Sequence, residues 1–249
     1  MGTRKARKVA SGILAMVVGV PALAWASWTL SDSRSFQFFG KLVTRVETDD
    51  SIVALTFDDG PIPPYTDSVL AMLADANAVA TFFVVGQGAA QRPELTRRLL
   101  AAGHELGNHS YSHKRLIFKS PGGVRRELER TDSVIRAAGQ SSAVHFRPPY
   151  GKRLVVLPWI LSRTGRTTIL WDLEPDSYPD VARDPDRIVD HVMTRVRPGS
   201  IILLHVETRA RAPARAALPK LLTALRAKGY ELVTVSELMR RAKGQEPAV

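Results

Sequence analysis

From residue 51 onward, the chain alternates short apolar runs with longer stretches of helical periodicity. A buried strand appears as a continuous apolar run, whereas a helix that covers it has apolar residues three and four positions apart. The predicted strands are Ile52–Phe57, Ala80–Val85, His104–Gly107, Ala143–Phe146, Thr167–Trp171, Ser200–Leu204 and Tyr230–Val233. The predicted helices are Tyr65–Ala76, Pro93–Ala102, Gly122–Ala138, Lys152–Arg163, Pro185–Val196, Pro213–Lys228 and a last helix that begins at a Thr234/Glu237 capping box. This alternation predicts an α/β fold whose parallel sheet is closed or nearly closed into a barrel of about seven units.

The absence of cysteine restricts the chemistry that is open to this chain. Its 249 residues suit one domain and contain six histidines but no cysteine. Disulfides, thiolate metal sites and a cysteine nucleophile are therefore excluded, which leaves histidines and carboxylates as metal ligands. The net charge of +11 suits attraction to an anionic polymer or lipid surface, although a solvated arginine-rich face is the simpler interpretation. No nucleic-acid-binding motif accompanies the charge, so we expect no nucleic-acid partner.

The N-terminus has the pattern of an export signal. Four basic residues near the start are followed by the apolar run Val9–Leu30. A bilayer span needs roughly 20 apolar residues, so this run predicts an N-terminal hydrophobic helix. It serves either as a membrane anchor or as a cleaved signal peptide, because small-x-small triplets end at Ala24 and Ala26. In both cases the rest of the chain is expected to lie outside the cytoplasm.

The domain boundaries follow from these composition changes. Residues 1–30 form the basic start with the signal peptide or anchor, and residues 31–47 are expected to be a linker or a collar against the domain. Residues 48–241 form the predicted catalytic domain, and residues 242–249 a flexible tail.

Two adjacent carboxylates follow the first predicted strand, in Thr56-Phe57-Asp58-Asp59-Gly60-Pro61. Glycine and proline force the chain to turn, so both acids are expected at the mouth of the barrel, where the functional groups of such folds gather. Paired acids can divide their work, one binding a cation and the other handling protons. The tripeptide Asp-Asp-Gly is also common in ordinary surface turns.

Two histidines follow the third predicted strand, in Asn108-His109-Ser110-Tyr111-Ser112-His113. At a spacing of four residues on a helical turn, both imidazoles share one face and can bind one ion. With one aspartate they form a two-histidine, one-carboxylate set that leaves coordination positions open. Zinc suits such a set, and iron, cobalt, nickel or manganese also fit it.

Two further strand ends carry single charged or titratable groups. Arg147 precedes two prolines, and an arginine at a strand end is costly to bury without a carboxylate partner. His205 ends the strongly apolar strand Ser200–Leu204. Their simpler interpretations are a surface arginine on a rigid turn and a histidine that hydrogen-bonds backbone groups.

Taken in order, these clusters resemble the motifs of the polysaccharide deacetylases, which are also called carbohydrate esterase family 4 or the chitooligosaccharide deacetylase homology domain. The matching motifs are Thr-Phe-Asp-Asp-Gly-Pro, His-Ser-x-x-His, Arg-Pro-Pro-Tyr-Gly and Leu-Leu-His. Each motif is weak alone, but four in the family's order and spacing, across residues 48–241, are a strong signal. The resemblance implies a distorted (β/α) barrel, in agreement with the unit count.

The resemblance also implies a metal site with a base beside it. Asp59, His109 and His113 would hold one divalent metal ion, with zinc favoured among the metals above. Asp58 would be the general base for the attacking water, with Arg147 paired to it.

For the remaining groups, the resemblance implies roles around the acetyl group. The backbone N–H of Tyr150 would stabilise the oxyanion, and Leu203 would line the pocket for the acetyl methyl group. His205 would donate a proton to the departing sugar amine.

One motif departs from the family pattern, which has an aspartate followed closely by Asp-Trp after the strand that precedes His205. Here the stretch begins at Trp171, and Tyr178 stands where tryptophan is usual. The acid that orients His205 is either Asp176 or Glu174. Trp171 and Tyr178 are the expected walls of the substrate groove on this side.

The function expected from the resemblance is metal-dependent removal of N-acetyl groups from an extracytoplasmic aminosugar polymer such as peptidoglycan or a chitin-like oligosaccharide. The expected partners are this glycan and, through the N-terminal segment, a membrane. The alternatives are a polysaccharide O-acetyl esterase and a catalytically weak module that binds cell-wall glycan.

Overall fold

The computed structural model describes residues 21, 22 and 24–242. Its strands are β1 (Leu42–Val43), β2 (Ile52–Asp58), β3 (Thr81–Val84), β4 (Glu105–Asn108), β5 (Thr168–Ile169), β6 (Ile201–His205) and β7 (Glu231–Val233). Strands β4, β3, β2 and β6 lie side by side in that order, and β7 also pairs with β2. Every one of these pairings is parallel, and β1 pairs with β5, also in parallel.

Strand β2 lies at the centre of the sheet and explains the apolar run that predicted it. All seven of its residues are buried, and it pairs with β3, β6 and β7. A parallel strand with both faces covered has no solvent side, so its sequence shows no polar alternation. The apolar run therefore continues until Asp58, at the carboxyl end of the strand.

The helices cover the sheet, and several begin and end at the expected signals. Ser120 caps α5 by accepting a hydrogen bond from the Gly123 N–H, and α5 ends at Gly139 with φ of 116°. Thr234 caps the last helix in the same way. The helices are α1 (residues 24–31), α2 (Tyr65–Asp75), α3 (Gly86–Gln91), α4 (Pro93–Ala101), α5 (Pro121–Ala138), α6 (Val156–Arg163), α7 (Pro185–Met193), α8 (Ala212–Ala227) and α9 (Val235–Arg240).

The sheet differs from the sequence expectation at one strand. The predicted strand Ala143–Phe146 forms only single bridges, from Phe146 to Asn108 and to Thr168. Arg147 and two prolines follow directly, and proline has no N–H with which to continue a ladder. The fold is thus α/β with a parallel sheet, and single bridges rather than continuous ladders join the five-stranded and two-stranded parts.

Several local features were absent from the sequence prediction. Strand β1 lies in the stretch interpreted as a linker, and helix α3 was not expected. The chain at 149–151 forms a short 3₁₀ turn, so α6 begins at Val156 rather than at Lys152.

The N-terminal apolar run falls largely outside the described residues, as do the last seven residues of the predicted tail. Among the helices that are described, none has both the length and the apolarity of a membrane span. The choice between anchor and signal peptide therefore stays a prediction.

Candidate active site

The carboxyl ends of β2, β4 and β6 bring polar side chains to one edge of the sheet. Asp58 in β2 lies opposite His205 in β6 in the strand register. Asn108, which ends β4, forms a bridge with Phe146. His109 and Arg147 are the next residues of these two segments and therefore lie beside each other. Because parallel strands share the edge at which they end, residues far apart in the sequence converge here.

Asp59, His109 and His113 form a cluster in which three ligand atoms lie within 4.8 Å of one another. Asp59 Oδ1 is 3.1 Å from His113 Nε2 and 3.7 Å from His109 Nε2. This oxygen is buried and has no hydrogen bond of acceptable geometry. A buried carboxylate oxygen without a partner is costly, and one cation that all three atoms bind removes that cost. The donor set therefore fits a divalent transition metal.

The hydrogen bond at Nδ1 of His109 determines whether its other ring nitrogen, Nε2, can bind a metal. His109 is buried, and its Nδ1 lies 2.8 Å from the carbonyl oxygen of Arg147. Because a carbonyl only accepts, Nδ1 carries the proton and Nε2 keeps its lone pair for a metal. Burial lowers the pKa of His109, despite the nearby Asp58 and Asp59, and so favours this neutral form.

The charge state of Asp59 also suits a cation. Burial by itself raises the pKa of this carboxyl, but the nearby imidazoles of His113, His109 and His205 hold the pKa well below its usual range. The site therefore presents an ionised carboxylate to a cation.

A glutamate in α5 supports the loop that carries His113. Glu127 accepts hydrogen bonds from the backbone N–H groups of Tyr111 (3.1 Å) and Ser112 (2.9 Å), and from the Ser112 hydroxyl (2.8 Å). These bonds fix the loop between the two histidines. No sequence signal marked Glu127, because nothing local distinguishes it from the other charged residues of an amphipathic helix.

The site also holds unusual backbone. Six non-glycine residues of the described chain have positive φ, and four of them belong to this site: Asp59, Ser110, His113 and Tyr150. Such a conformation costs of order 1–3 kcal/mol per residue, so the surroundings must impose it. The Ser110 N–H donates to Asn108 Oδ1 (2.8 Å), and the His113 N–H donates to Ser110 Oγ (3.1 Å).

Asp58 and Arg147 form a fully buried ion pair. Arg147 Nη1 donates to Asp58 Oδ1 at 2.7 Å and to Thr56 Oγ1 at 2.9 Å. Nη2 donates to the Leu170 carbonyl at 3.0 Å, and the guanidinium carbon lies 4.0 Å from the centre of the Phe83 ring. An arginine can remain buried only when its guanidinium has an anionic partner and its N–H groups are hydrogen-bonded, as they are here. The pair fixes the direction in which the second oxygen of Asp58 points.

His205 lies against Asp176 rather than Glu174. Asp176 Oδ2 is 3.2 Å from His205 Nδ1 and also accepts the His205 backbone N–H at 2.8 Å. Burial disfavours the imidazolium and lowers the pKa of His205. The hydrogen bond with Asp176 and the negative charges of Asp176, Asp58 and Asp59 outweigh burial and raise the pKa to about 9. Glu174 instead accepts from Trp171 Nε1 at 2.8 Å and pairs with Arg34.

The remaining candidate residues surround these groups. Leu203 is fully buried in β6, and Trp171 is almost buried, with its ring 5.3 Å from the Arg147 guanidinium. Tyr150 is half exposed, and its ring centre lies 4.9 Å from that of His113. Tyr178 is also half exposed, and its ring packs at 4.9 Å on His191 in α7.

Sequence reasoning missed a buried acid beside the two aspartates. Glu207 Oε2 accepts from the Thr66 hydroxyl at 2.7 Å and from the Ile62 N–H at 3.1 Å. A Cβ at Gly60 would lie 2.5 Å from Glu207 Oε1, so any larger residue there would displace this carboxyl group. Burial, with the charge of Asp59, raises the pKa of Glu207 to about 7. Its position two residues after His205 was the available signal.

Comparison with known proteins gives a consistent result. The polysaccharide deacetylase family model matches residues 45–169. A peptidoglycan-N-acetylglucosamine deacetylase of Bacillus cereus is 34% identical over 201 residues, which cover 81% of this chain and 94% of that protein. A chitooligosaccharide deacetylase of Sinorhizobium fredii is 37% identical over 203 residues, 76% of this chain and 93% of that protein. The crystal structure of a peptidoglycan N-acetylglucosamine deacetylase superposes with a TM-score of 0.75 at 29% identity, covering 82% of this chain and 95% of that one.

Proposed function

This chain belongs to the polysaccharide deacetylase family, and we propose that it is a metal-dependent hydrolase that removes N-acetyl groups from an extracytoplasmic aminosugar polymer. The observation that carries the proposal is the placement of the buried Asp58–Arg147 pair directly beside the Asp59, His109 and His113 cluster. Relatives that act on peptidoglycan and on chitooligosaccharides support the substrate class.

Asp59, His109 and His113 hold the metal in this proposal, and zinc suits their donor atoms best. When bound, a divalent ion there acidifies water and polarises the acetyl carbonyl. The orphaned oxygen of Asp59 and the lone pair of His109 Nε2 support this assignment.

The protein's own groups then move the protons. Asp58 accepts a proton from the attacking water, and its carboxylate is already oriented by Arg147 at 2.7 Å. The backbone N–H of Tyr150 hydrogen-bonds the oxygen of the acetyl group as negative charge develops there. His205 gives its proton to the sugar nitrogen as the carbon–nitrogen bond breaks. The acetyl group leaves as acetate, and the sugar keeps a free amine.

The raised pKa of His205 favours amide over ester as the substrate. An amine leaves poorly as an anion and needs an acid, whereas an alkoxide leaves more readily. With a pKa of about 9, His205 is protonated at neutral pH. An O-acetyl esterase uses the same groups and is the second candidate. An His205→Ala variant should lose amide cleavage far more than ester cleavage if the first candidate is correct.

The support of the metal ligands gives a prediction for affinity. The Glu127→Ala variant is expected to bind zinc about 10- to 100-fold more weakly, because the loop that carries His113 loses three hydrogen bonds. Isothermal titration of the metal-free protein measures this change. Glu129→Ala, an exposed neighbour on the same helix, is the matched control and should bind zinc unchanged. Equal affinities in both variants would remove the role assigned to Glu127.

The contact between Asp176 and His205 predicts the pH dependence. Activity should decline as pH rises through about 9, because His205 must be protonated to act as the acid. In Asp176→Asn the alkaline limb of the rate profile should move down by about 1–3 pH units, since a neighbouring negative charge is lost. An unmoved limb would assign that titration to another group.

The same titration affects stability. The pKa of His205 is raised from 6.5 to about 9 on folding, so its contribution is complete below pH 6.5 and is lost as pH rises towards 9. Unfolding in denaturant at several pH values measures this loss, which Asp176→Asn should reduce.

The proposed function is tested by measuring acetate release from acetylated peptidoglycan and from chitooligosaccharides with the full chain in detergent. Activity should disappear with a chelator and return when zinc is added, and the preferred glycan identifies the substrate class. A folded, zinc-loaded protein that releases no acetate from either glycan would favour the catalytically weak glycan-binding module.

The proposed location is outside the cytoplasm, by anchoring or secretion. The basic start and the apolar run Val9–Leu30 support this location. Peptidoglycan and chitin-like glycans are extracytoplasmic polymers, so the site and the export pattern agree.

A further inference from the structure

A group of exposed apolar side chains spans the end of the N-terminal apolar run and the segment that follows it. We define the aromatic collar as Trp25, Trp28, Leu30, Phe36, Phe38 and Phe39. These side chains are 41–71% exposed and make up six of the eleven exposed large hydrophobic residues in the described part of the chain. Their concentration within 15 residues is far above what scattered surface residues show, and a large exposed apolar patch marks an interaction surface.

Hydrogen bonds hold the backbone between Leu30 and Phe38 against the domain. Arg153 is almost fully buried, and its guanidinium donates to the carbonyl oxygens of Ser33 and Phe36 and to Gln37 Oε1. The Arg153 backbone N–H donates to the carbonyl of Ser31 at 3.0 Å. A flexible linker would have no such arginine beneath it.

The collar is attached close to the candidate active site. Arg153 lies three positions after Tyr150, and the intervening Lys152 pairs with Asp32 and lies 3.9 Å from the centre of the Trp28 ring. On another side, Arg34 pairs with Glu174 at 2.8 Å. The collar therefore contacts two of the loops that surround the site.

The sequence before the collar indicates what covers it. The apolar run ends at Leu30, inside the collar, and is just long enough to cross a bilayer. Tryptophan concentrates at membrane–water interfaces. Phenylalanine and leucine form the lipid-facing side of segments that lie in such an interface. Basic side chains accompany these rings, since Arg115 also lies 5.9 Å from Trp28. An exposed arginine beside an aromatic ring matches a surface of anionic lipid.

We propose that the aromatic collar docks on the outer surface of the lipid bilayer, with the rings of Phe36, Phe38 and Phe39 among the headgroups. Because the collar is fixed to the loops around Tyr150 and Glu174, docking holds the mouth of the active site beside the membrane. The enzyme then works on glycan at the membrane face. This surface is distinct from an anchor, which by itself leaves the domain free to move away from the lipid.

The chain has no cysteine, so one introduced cysteine carries the only label. Ser35→Cys places a nitrobenzoxadiazole label on the exposed part of the collar, and Ala216→Cys places it on α8 as the matched control. The full chain is reconstituted into vesicles of phosphatidylethanolamine and phosphatidylglycerol. Emission wavelength, quenching by brominated lipid and quenching by aqueous iodide are then measured at both positions.

The label at position 35 should show blue-shifted emission, quenching by brominated lipid and protection from iodide. The label at position 216 should remain in water, accessible to iodide and not quenched by brominated lipid. Replacing Phe36, Phe38 and Phe39 together by serine keeps the apolar run and should return the label at 35 to water. Acetate release from a soluble glycan should be unchanged in this triple variant, which shows that the site is intact.

Equal iodide access at positions 35 and 216 would overturn the proposal. It would also be overturned if the triple variant left the label at 35 in lipid, because proximity to the apolar run Val9–Leu30 alone would then explain the signal. Protection from iodide without quenching by brominated lipid would assign the collar to a protein contact, and so to a second copy of this chain. These outcomes do not depend on acetate release, so they are separate from a failure of the proposed function.

Discussion

The Asp58→Asn variant is expected to release acetate about 10²- to 10⁴-fold more slowly than the unaltered protein, which is the usual contribution of a positioned general base. The amide has the shape of the carboxylate and can still accept a hydrogen bond from Arg147, 2.7 Å away in the native site. It cannot take a proton from water. The loss should therefore fall on turnover rather than on binding of the metal.

Zinc content and zinc affinity, measured on the same preparation, separate this effect from metal loss. The matched control is Asp67→Asn, an exposed carboxylate in α2 that pairs with Arg98 and should keep the full rate. A slow variant with normal zinc affinity supports Asp58 as the base. A rate within a few-fold of the native one would mean that another group accepts the proton.

The Arg147→Met variant is expected to lose about 3–5 kcal/mol in the free energy of unfolding. Asp58 is almost fully buried, and without the guanidinium its charge has no cationic partner of comparable geometry. The hydrogen bonds to Thr56 and to the carbonyl of Leu170 are lost as well. Denaturant unfolding of the metal-free protein measures this change, so that zinc does not contribute to the difference.

Two further variants identify the cause. Arg97→Met removes an exposed arginine that pairs with Glu94, and such surface changes usually stay within about 0.5 kcal/mol. Arg147→Met combined with Asp58→Leu removes both buried charges, and the double variant should recover much of the lost stability. If the double variant were as unstable as Arg147→Met alone, lost packing rather than the unpaired charge would be the reason.

Much of the fold was accessible from local patterns. The predicted strands at Ile52, Ala80, His104, Ser200 and Tyr230 correspond to β2, β3, β4, β6 and β7, with ends shifted by at most one residue. Buried parallel strands can be predicted from the sequence because they are continuous apolar runs without polar residues. The prediction for Ala143–Phe146 was wrong as a strand, since a short apolar run does not reveal that Arg147 and the prolines leave only single bridges.

Structural details that depend on contacts between residues far apart in the sequence could not be predicted from local patterns. Strand β1 consists of two residues and exists because it pairs with β5, more than a hundred positions later. A segment of this length has no periodicity from which to predict it. Glu127 and Arg153 likewise have roles that come only from the loops that pack against them.

The sequence by itself determined which chemical groups stand at the strand ends, because Asp58, Asp59, His109, His113 and His205 each follow an apolar run or its turn. It also indicated a carboxylate partner for Arg147, since a buried arginine requires one. The tertiary structure alone decided that Asp176 rather than Glu174 contacts His205, that Glu127 supports the histidine loop, and that the collar is bound beside the active site. The physical reason is that strand formation and turns follow from neighbours in the sequence, whereas these side-chain contacts join residues that only the packing of the sheet and its loops brings together.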